Sequence, residues 1–270
     1  MLQRKYSILL VDDEEITRQI IAQHLARVGY LVTVAENGLI ALNMMQVEHF
    51  DLILLDMNMP VMDGLATLDA IKSNPVMQKI AVVMLTASNA REHVVHCLTL
   101  GAANYLIKPV NLEELRQRVR HCIDNKTTRI EPTVHIESKD ITGARVLIVD
   151  DEPINLKLLA NQLRKVGFVV LAAASGLDAL ELLGRENVDA ILLDVNMHHM
   201  DGKEVLTAIR ASEQWRILPV LMLSSGDEQE TMEHCYQLGA NDYLVKPYNI
   251  NDLYLRLAVS IEIGHMKGAK

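Results

Sequence analysis

Five polar side chains in the first half of the chain stand at or just after the ends of short apolar runs. Asp12 and Asp13 follow the first run, Asp56 follows the third, Thr86 ends the fourth and Lys108 follows the fifth. Three carboxylates in one pocket repel each other by several kcal/mol at an effective dielectric constant of about 20, so they need a divalent cation. Hard oxygen ligands favour Mg²⁺, with Mn²⁺ as a substitute.

The second half of the chain repeats this set at a constant spacing of 138 positions. The repeated residues are Asp150, Asp151, Asp194, Ser224 and Lys246. No insertion or deletion separates the copies, and the spacing is too long for a solenoid repeat, so it indicates a domain duplication. We predict domains at residues 1–126 and 143–270, joined by a polar linker at residues 127–142.

Each copy alternates short apolar runs with segments of helical spacing. The runs lack polar alternation, as is typical of strands buried in a parallel sheet. In the first copy the predicted strands are Ile8–Val11, Leu31–Ala35, Leu52–Leu55, Ala81–Leu85 and Asn104–Ile107. The predicted helices are Ile16–Val28, Leu39–Val47, Gly64–Ser73, Glu92–Leu100 and Leu112–Ile123. Five such units predict an open parallel sheet, doubly wound, with helices on both faces.

The carboxyl ends of the strands in such a sheet are where ligands bind. All five polar groups of the first copy fall at that edge, although they lie far apart in sequence. An Asp pair after a single strand is often only a helix N-cap. Convergence of all five groups, found twice in one chain, favours a functional site with a bound metal ion.

The overall composition excludes several other classes of protein. The net charge of −9 argues against a broad nucleic-acid-binding surface, which needs clustered Lys and Arg. The three cysteines have no metal-ligand spacing and are predicted to be buried free thiols. The N-terminal apolar run is too short for a signal peptide or a membrane span, so a cytoplasmic location is expected.

Four motifs of the first copy resemble those of the receiver domains of two-component response regulators. The motifs are Leu10-Val11-Asp12-Asp13-Glu14, Asp56-Met57-Asn58-Met59-Pro60-Val61-Met62-Asp63-Gly64, Leu85-Thr86-Ala87 and Tyr105-Leu106-Ile107-Lys108-Pro109. The resemblance extends over both copies. It implies an α/β fold class, with two (βα)5 flavodoxin-like receiver domains whose five-stranded parallel sheets have the order 2-1-3-4-5.

The resemblance also implies a role for each residue of the set. Asp56 and Asp194 would be the nucleophiles that accept a phosphoryl group from a phosphohistidine. Lys108 and Lys246 would neutralise its charge, and Mg²⁺ would be required. The implied metal ligands are Asp12, Asp13, Asp56 and the backbone carbonyl of Asn58, then Asp150, Asp151, Asp194 and the backbone carbonyl of Asn196.

A conformational switch is implied as well. Thr86 or Ser224 would hydrogen-bond a phosphoryl oxygen, and Tyr105 or Tyr243 would then rotate inward. The output face would be helix four, strand five and helix five, through which a homodimer could form. The implied partners are a sensor histidine kinase or a histidine phosphotransfer protein, and a downstream protein, without direct contact to nucleic acid or membrane.

The second copy departs from the family pattern at two positions. Ser224 replaces the threonine, and His198 stands where the first copy has Pro60, which predicts a more mobile loop after the acceptor. We interpret His198 and His199 as a solvated pair rather than metal ligands. The family resemblance implies that the residues two positions beyond the acceptor and two beyond the hydroxyl tune the lifetime of the phosphoryl group. These residues are Asn58 and Ser88 in the first copy and Asn196 and Gly226 in the second, so unequal lifetimes are predicted.

The sequence favours one of three candidate functions. A phosphorelay response regulator with tandem receivers fits best, as a protein that catalyses only its own phosphorylation and dephosphorylation and is otherwise not an enzyme. Alternatively the chain is the N-terminal regulatory part of a longer regulator, such as a diguanylate cyclase or a hybrid histidine kinase. An aspartyl-phosphate phosphatase is disfavoured, because its nucleophile follows strand one in an Asp-x-Asp motif, which is absent here.

Overall fold

Strands and helices alternate along both halves of the chain in the computed structural model, which describes residues 5–87, 91–124, 141–226 and 229–268. The chain divides into two compact units, one for each copy. The strands of the first unit are β1 (Ser7–Val11), β2 (Leu31–Ala35), β3 (Leu52–Asp56), β4 (Ala81–Ala87) and β5 (Asn104–Lys108). Its helices are α1 (Glu15–Arg27), α2 (Gly38–Met45), α3 (Gly64–Ser73), α4 (Arg91–Leu100) and α5 (Leu112–Asp124).

The second unit repeats this order of elements. Its strands are β6 (Arg145–Val149), β7 (Val169–Ala173), β8 (Ala190–Asp194), β9 (Val220–Ser224) and β10 (Asp242–Val245). Its helices are α6 (Pro153–Lys165), α7 (Gly176–Arg185), α8 (Gly202–Ala211), α9 (Gln229–Gln237) and α10 (Ile250–Gly268).

Each unit is built on one parallel sheet. The strand orders are β2-β1-β3-β4-β5 and β7-β6-β8-β9-β10, so the predicted order 2-1-3-4-5 is confirmed in both copies. The central strands β3 and β8 are apolar up to their last residue, an aspartate, because helices cover both faces: Leu52 to Leu55 in β3 and Ile191 to Leu193 in β8 have no exposed surface. This order places the ends of β1, β3, β4 and β5 side by side.

Helix α1 is less buried than its apolar pattern predicts. Only Ile21 and Leu25 are buried, whereas Ile16 and Ile20 are 66% and 51% exposed. The helix contacts the sheet along a narrow stripe, so the second apolar row faces solvent. The equivalent residues of α6, Ile154 and Leu158, are also exposed.

Two predicted element ends differ by two residues in the structure, and every other predicted end of the first copy lies within one residue of the observed one. Helix α2 ends at Met45 instead of Val47, and Val47 is 82% exposed, so no burial favours its continuation. Strand β4 continues to Ala87 because it pairs with β5 as far as Lys108. Both differences concern the last turn or the last residues of an element, where local sequence patterns are least informative.

The predicted linker, residues 127–142, lies almost entirely outside the described residues. Of its last two residues, which are described, Ile141 is buried in the core of the second unit, in one cluster with Val146 and Phe168. The domain limits 1–126 and 143–270 stay predictions.

The three cysteines are buried free thiols, as predicted. Burial raises the pKa of Cys97 and Cys122 to about 12, and that of Cys235 to about 11. The thiols therefore stay protonated and poorly nucleophilic at neutral pH. Among the described helices, none has a stretch that is both long and apolar enough to cross a lipid bilayer.

Candidate functional site

A lysine joins two buried carboxylates at the carboxyl edge of the first sheet. Asp12 follows β1, Asp56 is the last residue of β3 and Lys108 is the last residue of β5. The Lys108 Nζ lies 2.8 Å from Asp12 Oδ2 and 2.8 Å from Asp56 Oδ1. Asp12 and Asp56 are buried, with 0% and 4% of their surface exposed. Residues 96 positions apart thus meet because parallel strands end at the same edge.

Burial and the lysine have opposite effects on the pKa of the Asp56 carboxyl group. Burial raises the pKa of Asp56 above its usual value, although the hydrogen bond from Lys108 and its charge oppose the shift. Burial would lower the pKa of Lys108, but its hydrogen bonds to Asp12 and Asp56 outweigh this and the pKa is raised. Lys108 therefore remains an ammonium at neutral pH, placed where further negative charge on Asp56 would be neutralised.

The donor set for a divalent cation is also present at this edge. One oxygen from each of Asp12, Asp13 and Asp56 lies within 4.8 Å of the others. Oxygens bound to one octahedral Mg²⁺ at about 2.1 Å are about 3 to 4 Å apart, so only a small contraction is required. Asn58, whose backbone carbonyl is the fourth predicted ligand, lies in the exposed loop two residues beyond Asp56. The residues present therefore fit a hard divalent cation.

The predicted hydroxyl and aromatic residues lie on the neighbouring strands. Thr86 is buried in β4 and pairs with Ile107, the residue before Lys108. Tyr105 is 5% exposed in β5, with the Arg118 guanidinium 5.9 Å from its ring centroid. Ser88 lies outside the described residues.

The second unit contains the same lysine bridge. Lys246 Nζ lies 2.9 Å from Asp150 Oδ2 and 2.7 Å from Asp194 Oδ1. Burial raises the pKa of Asp194, and hydrogen bonds to the two carboxylates raise the pKa of Lys246 although its burial opposes this. The Ser224 carbonyl accepts from the Lys246 backbone N–H at 2.6 Å. The second unit therefore has the same charge arrangement around Asp194 as the first has around Asp56.

The remaining predicted residues of the second unit are also close to this edge. Ser224 is buried at the end of β9, and its Oγ lies 3.3 Å from both the backbone N and O of Gly226. Tyr243 is 3% exposed in β10. Asn196 follows Asp194 in an exposed loop, and its backbone N–H donates to Asp194 Oδ2 at 3.2 Å.

Asp151 differs from its counterpart Asp13. Its Oδ2 accepts two hydrogen bonds from His198, one from the backbone N–H at 2.8 Å and one from Nδ1. These bonds lower the pKa of Asp151. Within the described residues, which include all six carboxylates, only the first unit brings three acidic side chains within 4.8 Å of one another.

Sequence reasoning missed this contact. It assigned His198 and His199 to a solvated pair, and both are exposed, but the Nδ1 and N–H of His198 also bind Asp151. The sequence does contain a signal for this contact. His198, which has a backbone N–H, stands where the first copy has Pro60, which has none. The predicted mobility of this loop is untested, but its backbone matches that of the first copy, with φ of 69° at His199 and 70° at Val61.

A second difference concerns the first carboxylate of each pair. The Asn155 side-chain amide lies 3.2 Å and 3.1 Å from the two carboxylate oxygens of Asp150. Its counterpart Thr17 instead donates to Glu14 Oε2 at 2.7 Å. Among the described residues, Asp150 and Asp151 therefore have side-chain partners, Asn155 and His198, whose equivalents Thr17 and Pro60 do not hydrogen-bond to the side chains of Asp12 and Asp13.

Comparison with known proteins gives a consistent result. The family model described as the response regulator receiver domain matches residues 8–120 and 146–258. Response regulator PleD of Caulobacter vibrioides is 29% identical over 273 aligned positions, which cover 94% of this chain and 59% of PleD. Sensor histidine kinase RcsC of Salmonella typhi is 38% identical over 131 positions, 48% of this chain and 14% of RcsC.

A solved structure with the same kind of domain is similar to part of the chain. It is the receiver domain of sensor histidine kinase PA1611 from Pseudomonas aeruginosa PAO1, with a magnesium ion coordinated in its active-site cleft. The identity is 35%, the TM-score is 0.42, and the match covers 44% of this chain and 98% of that domain. The family match over both copies is decisive: the chain belongs to the response regulator receiver family and contains two receiver domains, one formed by each unit.

Proposed function

We propose that each receiver domain accepts a phosphoryl group on its strand-end aspartate, Asp56 in the first and Asp194 in the second. The observation that carries this proposal is the lysine bridge, present in both domains at 2.7 to 2.9 Å. It places an ammonium against a buried carboxylate that must gain negative charge in the reaction. The chain then acts as a phosphorelay response regulator and not as an enzyme with a separate substrate.

The transfer itself is a nucleophilic displacement at phosphorus. A carboxylate oxygen of Asp56 attacks the phosphorus atom, a P–O bond forms, and the P–N bond of the donor phosphohistidine breaks as the imidazole leaves. Lys108 loses part of its contact with the carboxylate and neutralises charge on the transferred group. Burial of Asp56 restricts access of bulk water, which slows hydrolysis of the acyl phosphate.

A divalent cation completes the site in this proposal. In the first domain Asp12, Asp13, Asp56 and the carbonyl of Asn58 would hold it, and the acidic cluster supports this. In the second domain the equivalent ligands would be Asp150, Asp151, Asp194 and the carbonyl of Asn196. When bound, Mg²⁺ or its substitute Mn²⁺ supplies positive charge that offsets the repulsion between these carboxylates and the phosphoryl group.

The switch in this proposal uses the buried hydroxyl and tyrosine. Thr86 is buried near the end of β4, one strand position before the partner of Lys108, and in this proposal its hydroxyl would bond a phosphoryl oxygen. Tyr105 lies on β5, the strand next to β4. A shift of Thr86 would change the packing around Tyr105 and so the face made by α4, β5 and α5, where a downstream protein or a second copy would bind.

The exposed row of α1 supports a phosphohistidine-bearing partner. Ile16 and Ile20 are large apolar residues on the helix that follows Asp12, and Ile154 and Leu158 repeat the pair on α6. Apolar residues that recur at equivalent exposed positions favour a protein contact over chance exposure. We propose that a sensor histidine kinase or a histidine phosphotransfer protein docks there.

Acetyl phosphate provides a direct test of the proposed function. With Mg²⁺ present, intact mass spectrometry should show up to two added phosphoryl groups per chain, and excess EDTA should prevent both additions. Acetyl phosphate suits this test because it supplies the phosphoryl group without a cognate kinase. The proposal is overturned if no mass is added at saturating acetyl phosphate and Mg²⁺.

Replacement of Lys108 by alanine should separate phosphoryl transfer from metal binding. We expect phosphorylation of Asp56 to slow by about 100-fold, the usual cost of removing one positioned charge donor. Mg²⁺ affinity should persist, because the lysine is not a metal ligand and its removal leaves the carboxylates. The rate is measured by intact mass in an Asp194→Asn background, and Mg²⁺ binding by calorimetry.

The exposed Lys79 gives a matched control, since Lys79→Ala removes a lysine of the same domain away from the site. It should leave both quantities unchanged. Lys246→Ala, measured in an Asp56→Asn background, should repeat the result in the second domain. Loss of Mg²⁺ affinity in either site-lysine variant would contradict the assigned role.

A further inference from the structure

One carboxylate of the second receiver domain is tied to the loop beyond the acceptor. Asp151 Oδ2 accepts from the backbone N–H of His198 at 2.8 Å and from the His198 ring Nδ1. The side chain of Asp151 is 17% exposed in this position. Asp150, Asp151 and Asp194 do not bring one oxygen each to within 4.8 Å of the others, as Asp12, Asp13 and Asp56 do in the first domain.

The first domain cannot make this contact because of its residue at the equivalent position. Pro60 has neither a backbone N–H nor a side-chain donor. The two loops otherwise have the same backbone: Met62 N–H donates to the Pro60 carbonyl at 2.8 Å, and Met200 N–H donates to the His198 carbonyl at 2.9 Å. The difference between Asp13 and Asp151 therefore follows from the residue type and not from a different loop shape.

We propose that His198 competes with the divalent cation for Asp151, so that the second receiver domain binds Mg²⁺ more weakly than the first. This inference rests on the proposed function, since it concerns the same metal site. For Asp151 to bind a cation together with Asp150 and Asp194, its hydrogen bonds to His198 must break or rearrange. The metal sites of the two domains would then be occupied at different Mg²⁺ concentrations. The second domain would be phosphorylated only at the higher of these concentrations.

The two hydrogen bonds should contribute unequally. The His198 side chain is 91% exposed, so water competes for its ring and the ring must be ordered to bind. The backbone N–H is fixed by the loop and donates to a charged oxygen, which makes a stronger contact. We expect His198→Pro, which removes both donors, to raise Mg²⁺ affinity about fivefold, and His198→Ala, which removes only the ring, to raise it less than twofold.

The test uses the full chain with the metal site of one domain removed by substitution of its ligands. Asp13→Asn with Asp56→Asn leaves the second site to be titrated with Mg²⁺ alone by calorimetry at fixed pH. In that background wild-type His198, His198→Ala and His198→Pro are compared. The reciprocal background, Asp151→Asn with Asp194→Asn, isolates the first site, where Pro60→His should lower Mg²⁺ affinity severalfold.

The outcomes distinguish this inference from the proposed function. Absence of Mg²⁺ binding in both backgrounds would overturn the proposed function itself. Binding at the first site, with a second site that is equally strong or that does not respond to His198→Pro, would overturn only the role of His198. If His198→Pro fails to fold by circular dichroism, the Pro60→His variant decides: unchanged affinity at the first site overturns the inference.

Discussion

Replacement of Asp56 by asparagine should remove one of the two phosphoryl groups that the chain accepts, and Asp194→Asn should remove the other. An amide oxygen lacks the charge of a carboxylate and is a poor nucleophile toward phosphorus. Asparagine keeps the volume of the side chain, so the buried edge of β3 or β8 need not repack. Intact mass after treatment with acetyl phosphate and Mg²⁺ should show one addition for each single variant and none for the double variant.

The exposed Asp69 of α3 supplies the control for this experiment. Asp69→Asn changes the same functional group in the same domain and should leave two phosphoryl additions. Peptide mapping of the phosphorylated protein, after reduction of the acyl phosphate, locates each group. Two additions to the double Asp56 and Asp194 variant would show that other residues are the acceptors.

Replacement of Gly202 by alanine should unfold or severely distort the second receiver domain. A Cβ at Gly202 would lie 2.2 Å from the Asp194 carbonyl oxygen and 3.0 Å from Val195 Cα. Both are backbone atoms of the acceptor loop and cannot move aside as a side-chain tip can. We expect a loss of about 3 kcal/mol or more in the free energy of unfolding, together with loss of phosphorylation at Asp194.

The chain's single tryptophan makes this prediction measurable in one domain. Trp215 packs against the core of the second unit, so its fluorescence in a urea titration follows that unit. Gly184→Ala is the matched control, because a Cβ there meets no atom within 4 Å and Gly184 lies in α7. It should stabilise the unit by up to about 1 kcal/mol, since alanine favours a helix more than glycine. Equal midpoints for Gly202→Ala and wild type would contradict the close approach.

The counterpart Gly64 gives an independent check in the first domain. A Cβ there would lie 2.2 Å from the Asp56 carbonyl oxygen and 2.8 Å from Met57 Cα. Gly64→Ala should therefore abolish phosphorylation of Asp56. The urea midpoint reported by Trp215 should change little if the two domains unfold independently.

The sheet and the lysine bridge could be predicted from the sequence because they depend on regular patterns. A short unbroken apolar run such as Leu52 to Leu55 is typical of a strand covered on both faces. Once the strands are parallel, their last residues must meet, so Asp56 and Lys108 come together although 52 positions separate them. The strand order itself came from the family resemblance.

The exposure of α1 could not be predicted from its spacing. Ile16 and Ile20 fit the helical period as well as Ile21 and Leu25 do, and the apolar pattern does not show how wide a stripe the sheet covers. That width depends on how the helix packs across the strands, which is a tertiary property. The apolar pattern of α1 therefore did not show that Ile16 and Ile20 would lie on the surface.

The contact between Asp151 and His198 could not be predicted from the sequence, because it depends on the three-dimensional path of the loop. His199 has a φ of 69°, in the left-handed region that non-glycine residues seldom adopt. Around this residue the chain turns so that the N–H and ring of His198 face Asp151, 47 positions away. A substitution of proline by histidine shows that an N–H is gained but not what it will face.

The repeated exposed pair on α1 and α6 has a consequence for the kinetics of signalling. If a phosphohistidine-bearing donor docks on both pairs, as proposed, a donor that leaves one domain stays within reach of the other, because one polypeptide carries both. The tether raises the local concentration of the second surface, and rebinding competes with escape into solution. Under the proposed function, a donor that has phosphorylated one aspartate would then reach the other more often than it would reach a separate receiver at the same concentration.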